Sequence, residues 1–244
     1  MKNKILQVTL LILLAWSCDN DTLSNKNPAE SSINKIMPLG ASRVEGARPD
    51  YESYRYELWK DLKAHNWSFD FIGTQTDNAS YPSFNNESFD NDHEGRGGWT
   101  SGEILNGLSQ WLEETGSPDI VLFSSPAGND VFNFIDYNQS LENINQIIDI
   151  LQADNQDVTI LIEQTAPGSS SFMTPGFISA FNQFRQDVLT IANQQTTSSS
   201  KVIAVDMYTG FNDSYLADEV HYNEAGAIFI AERYYNVLEN VLMD

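Results

Sequence analysis

From Ile33 onward, short apolar runs alternate with stretches whose apolar residues recur every three or four positions. The runs are KIMPL (35–39), SFDFIG (68–73), DIVLFSS (119–125), VTILIE (158–163) and KVIAVD (201–206). Each is nearly continuous in apolar or β-branched residues, the pattern of a strand covered on both faces. Tyr54, Leu58 and Leu62 mark one intervening helix, and Ile144, Ile147, Ile148 and Leu151 another. Thr174 followed by Pro175 reads as a cap with proline in the first turn, opening a helix through Ile178, Phe181, Val188 and Ile191. Ile230, Val237, Leu238 and Val241 lie on a last helix. The alternation predicts right-handed crossovers and a three-layer α/β/α sandwich around five parallel strands, one domain over 33–244. In such sheets functional residues collect where strands end.

A polar stretch of unusual length, TDNASYPSFNNESFDNDHEGRGG (76–98), interrupts the pattern. Connections this long inside a compact domain are more often functional than idle. At the other extreme, Ile5–Trp16 is apolar, follows Lys2 and Lys4, and is too short to span a bilayer comfortably. It ends in LLAWSCDND, where small residues precede Cys18, and this resembles a bacterial lipoprotein signal apart from Trp16. The resemblance implies a signal peptide over 1–17, lipidation of Cys18, and a polar tether over 18–32. The protein would then be anchored at the bacterial cell envelope, with membrane contact through the lipid alone. Cys18 is the single cysteine of the chain, so no intramolecular disulfide forms.

Charge narrows the partners. Thirteen basic against 34 acidic residues give a net charge of -21. That opposes binding to nucleic acid and electrostatic docking on anionic lipid, and leaves neutral substrates unopposed.

Four places carry candidate chemistry. Ser42, in PLGASRVEG, follows the first strand but lies outside a GxSxG elbow. Asp218 and His221, in LADEVHYNEAG, share one loop before a helix that Asn223 can cap, and could supply acid and base to a serine. Asn129, in SSPAGND, follows the third strand; its amide could donate to an oxyanion, or GND could form an ordinary turn. The glycines of HEGRGGWTS could aim a backbone N–H at an anion. His65 lies in a predicted helix and His93 in the long loop, and there is no cysteine pair, so neither metal nor cofactor is expected.

In their order along the chain, these four blocks resemble those of the SGNH (GDSL-type) hydrolase superfamily. YRYELW and HEGRGGW resemble its carbohydrate acetyl esterase branch. The resemblance implies a flavodoxin-like sheet and a serine esterase acting on acetyl or other short acyl esters of carbohydrate. Ser42 would be nucleophile, His221 base and Asp218 its orienting acid. Ser42, Gly98 and Asn129 would form the oxyanion hole, with Gly95 and Gly97 as alternatives to Gly98. The chain departs from the pattern at Ala41, where the family has aspartate, and at Arg43, where an aliphatic residue is common. Ala41 is expected to loosen the nucleophile turn, and Arg43 to pair with a nearby acid or to contact substrate. The alternative function is a carbohydrate-binding lipoprotein on a retired hydrolase scaffold. A lipase is disfavoured because no single segment reads as an apolar flap.

Overall fold

The computed structural model describes residues 33–243, so the signal peptide, Cys18 and the tether lie outside the described residues. Six strands form: β1 (Lys35–Gly40), β2 (Asp70–Phe71), β3 (Glu94–Gly95), β4 (Ile120–Phe123), β5 (Thr159–Gln164) and β6 (Lys201–Asp206). All pair in parallel in the order β2–β1–β4–β5–β6, and β3 also pairs with β1. The helices are α1 (Ser42–Glu45), α2 (Arg55–Ala64), α3 (Ser101–Thr115), α4 (Gly128–Phe132), α5 (Tyr137–Asp154), α6 (Pro175–Gln195) and α7 (Glu224–Leu238).

Side chains alternate across the sheet. Ile120 and Leu122 pack with Leu58 of α2 and Ile230 of α7, whereas Val121 and Phe123 pack with Leu108 of α3, Ile148 of α5 and Val188 of α6. These are the two expected helical layers. Burial of each such Leu or Ile side chain contributes about 1.5–3 kcal/mol. Thr174 accepts from the Phe177 N–H and Asn223 from the Gly226 N–H, so both N-caps form as the sequence suggests. Ile178, by contrast, is no core residue: it is 46% exposed at the start of α6.

The second strand departs from expectation. Instead of one run over 68–73, the row beside β1 is built from two pieces, which makes the sheet six-stranded. Asp70 and Phe71 pair with Lys35 and Ile36, and Glu94 and Gly95 pair with Leu39 and Gly40. Between them the chain leaves the sheet and returns. Gln75 and His93 bridge the neck of this excursion. A Cβ on Gly73 would lie 2.1 Å from the His93 carbonyl carbon, so only glycine fits there. At the tip, Asn85 and Asn86 both take left-handed φ between Phe84 and Glu87, which bridge each other. The excursion packs Tyr81 and Phe89 on Tyr56 of α2, while Asp77 pairs with the fully buried Arg55.

Asp90, near the end of the excursion, accepts the Phe71 N–H. Burial lifts its carboxyl to about 6 against the pull of that hydrogen bond. The folded chain therefore holds this proton more tightly than the unfolded one. The associated stability is present below about pH 4 and is lost as pH rises through about 6. Asp90→Asn is thus expected to gain stability over the native chain on going from pH 4.5 to pH 7, by on the order of 2 kcal/mol. Urea unfolding of both proteins at the two pH values checks this, and an equal difference at both contradicts it.

Candidate active site

β1 and β4 are neighbours, but the chain leaves β1 towards β2 on one side and reaches β4 on the other. Their carboxyl ends therefore flank the crevice where ligands bind in open α/β sheets. Ser42 opens α1 directly after β1, so its backbone N–H has no acceptor within that helix. The far side of α1 is pinned: Ser53 Oγ and Arg55 Nε both donate to the Val44 carbonyl at 2.7 Å, and Arg55 Nη2 donates to the Glu45 carbonyl. The turn is thus held from its far side, with no polar side chain at Ala41 to help.

The loop before α7 brings the histidine to the serine. Asp218 Oδ1 accepts the backbone N–H groups of Val220 and His221, and its Oδ2 lies 2.7 Å from His221 Nδ1. His221 Nε2 lies 2.9 Å from Ser42 Oγ, 179 positions away in sequence. With Nδ1–H donated to the carboxylate, Nε2 carries the lone pair that accepts the serine hydroxyl. Burial pushes the Asp218 carboxyl up, but the two backbone N–H groups and the imidazole outweigh it and hold it below the ordinary value. Tyr51 covers the imidazole, ring stacked on ring at 3.9 Å. Its phenol is pushed up by burial and by Glu45 and Asp218, so it stays neutral beside the pair. Tyr51 carries no signal in the sequence beyond being an aromatic residue shortly after the turn at Ser42.

No family model and no curated protein matches the chain. Among solved structures it is similar to a carbohydrate esterase family 3 protein from Talaromyces cellulolyticus, with 26% identity, TM-score 0.73, and coverage of 85% of this chain and 97% of the other. A family 3 carbohydrate esterase from Clostridium thermocellum is 29% identical, TM-score 0.68, covering 86% and 98%. A serine-to-alanine mutant of an acetyl esterase with an acetate ion is 27% identical, TM-score 0.72, covering 85% and 99%. The fold and these likenesses support an SGNH-type hydrolase.

The other SGNH blocks can now be located. Asn129, on α4 after β4, lines a small cavity with Ser42 and donates from Nδ2 to the Trp99 carbonyl at 2.8 Å. An amide nitrogen has a second hydrogen, which leaves one for a bound anion. Asp130 turns the other way and takes both the N–H and the hydroxyl of Ser101, fixing α4 to the start of α3. GND is therefore a short helix rather than an isolated turn. Gly98 has a left-handed φ of +79° with open space around it, but it does not line the cavity. Its link to the site runs through the neighbouring Trp99 and Asn129. Gly97 is nearer Ser42, since a Cβ there would lie 4.0 Å from that of the serine; Gly95 sits within β3. The turn carrying these glycines is tied down from below, where Arg96 pairs with buried Glu94 and lies 3.6 Å from the Trp111 ring centre.

Of the two expectations for Arg43, pairing with an acid is not met by a hydrogen bond: its guanidinium is buried and donates to the Val220, Ala166 and Pro167 carbonyls, while the residue lines the same cavity as Ser42. Apolar surface also gathers where no single segment advertised it. Phe134, 82% exposed, lines a groove of about 460 Å³ with Val131, Ile135, Tyr137, Phe177 and Phe184, drawn from two segments some forty residues apart. His65 caps the end of α2 and His93 accepts the Gly95 N–H, so both stand apart from Ser42.

Proposed function

We propose that this protein is a serine esterase that removes acetyl or another short acyl group from carbohydrate. The observation that carries the reading is the hydrogen-bonded row Asp218–His221–Ser42, set at the carboxyl edge of the sheet. Ser42 Oγ attacks the ester carbonyl carbon while His221 Nε2 takes its proton. The oxyanion that forms is held by the backbone N–H of Ser42, the Asn129 amide and a backbone N–H of the Gly98 turn. Collapse breaks the bond to the alcohol, which leaves with the proton from His221. Water then repeats the cycle on the acyl-serine and releases the acid.

The substrate class has three supports. The related structures at 26–29% identity are described as carbohydrate or acetyl esterases. A net charge of -21 favours a neutral polymer over an anionic one. The cavity at Ser42 measures about 30 Å³ and is walled by Phe132 and Phe181, which leaves space for one or two heavy atoms. The lipid anchor at Cys18 belongs to this reading on the strength of the sequence alone, and would hold the enzyme on the bacterial envelope.

Incubation with a fluorophosphonate should leave an adduct on the peptide that contains Ser42, and the native protein should release acetate from acetylated polysaccharides. No adduct and no hydrolysis of p-nitrophenyl acetate would overturn the reading in favour of a binding protein. An adduct without acetate release would remove the carbohydrate part. The wall can be tested separately: Phe181→Ala is expected to shift the butyrate-to-acetate kcat/KM ratio for p-nitrophenyl esters upward by about tenfold. An unchanged ratio means that Phe181 does not limit the acyl group.

A further inference from the structure

Arg43 is the residue next to Ser42, only 7% exposed, and its hydrogen bonds converge from the rest of the cleft. Nε donates to the Val220 carbonyl at 2.9 Å, one residue before His221. Nη1 donates to the Ala166 carbonyl at 2.8 Å and lies 3.5 Å from Ser125 Oγ, four residues before Asn129. Nη2 donates to the Pro167 carbonyl at 3.1 Å. The guanidinium also lies over the Tyr222 ring, one residue after His221, at 4.7 Å from its centre. One side chain thus touches the nucleophile turn, both flanks of the histidine, the loop after β5 and the loop that leads to the asparagine.

A buried cation needs compensation. Here it comes from carbonyl dipoles and from Glu163, fully buried at the end of β5, which bonds to the same Ser125 through its backbone N–H at 2.7 Å and to the Tyr234 hydroxyl at 2.8 Å. Only a planar fork with five donors reaches carbonyls that diverge in this way; a lysine offers three donors from a single point.

We infer that Arg43 is a positioning residue for the esterase reaction, holding the Ser42 turn and the His221 loop in register from beneath. The inference rests on the reading of Ser42 and His221 as nucleophile and base. It also joins the two departures from the family pattern: the turn that lacks an acid at Ala41 is held through the side chain that follows the serine instead. Arg43 lines the same cavity as Ser42, but its donors are engaged by the Val220, Ala166 and Pro167 carbonyls, so it acts through the backbone on either side of the reacting atoms.

The test compares the full-length native protein with Arg43→Lys and Arg43→Met on p-nitrophenyl acetate. Both variants are expected to lose about 30- to 100-fold in kcat, because small misplacements of reacting groups cost that much. KM should stay within about threefold, since the guanidinium donors serve the protein's own carbonyls rather than a ligand. Fluorophosphonate labelling of Ser42 should slow in parallel, and added guanidinium should restore part of the lost rate in Arg43→Met but leave the native rate unchanged. A folded variant with native kcat, or a loss confined to KM, overturns the inference. So does failure of both variants to fold, which makes Arg43 a structural residue only. A native protein that neither labels nor hydrolyses removes the esterase reading itself and the inference with it. An active native protein with indifferent variants removes the inference alone.

Discussion

His221→Asn is expected to lower kcat on p-nitrophenyl acetate by about 10³–10⁴-fold, with KM changed little. The side chain at 221 accepts the Ser42 hydroxyl at 2.9 Å and is oriented by Asp218 at 2.7 Å. Asparagine is close in volume, stays beneath the Tyr51 ring and leaves the backbone bonds to Asp218 in place, so the fold should survive. It cannot take up and return a proton near neutrality. Asp218→Asn should move kcat in the same direction, because an amide can present its NH₂ to the imidazole and favour the wrong tautomer. Native-like thermal unfolding of either variant, combined with more than a tenth of native kcat, would sink the assignment of base and acid.

Asn129→Ala should cost about 10²–10³-fold in kcat, the range for removal of one donor to a developing oxyanion. Asn129→Asp should cost at least as much, since a carboxylate replaces a donor with a negative charge facing the same oxygen. The neighbouring Asp130 keeps α4 fixed to Ser101 in both variants, so the loss should not come from a displaced helix. A reduction below about threefold in either variant would mean that the amide serves only the Trp99 carbonyl.

Much of this arrangement is legible in the chain because it rests on local rules. The apolar runs around Met37, Val121, Leu161 and Val202 can only be strands covered on both sides, and the Thr174 and Asn223 caps state where two helices start. Ser42 and Asn129 stand out by their places just after strands, and His221 by the acid three residues before it in the loop that opens α7. What escapes is long-range. Arg43 looks like a surface cation until its partners at 166, 167 and 220 are brought in, and backbone carbonyls leave no mark in a sequence. Tyr51 stacks on an imidazole 170 positions away. The apolar groove is assembled from Val131–Tyr137 and Thr174–Phe184, neither of which is a continuous apolar run. The split of the second strand hides for another reason: SFDFIG reads as one strand, and only the contact of Gly73 with His93 tells where it is cut.

That cut has a consequence for how such a protein can change. Because Gln75 and His93 close the excursion at its neck, and Asp77, Tyr81 and Phe89 pin its flanks to α2, the turn at Asn85 and Asn86 is the part that can be lengthened or exchanged while the residues facing Leu39 and Gly40 stay put. Such changes leave the glycine turn beside Ser42 unaltered.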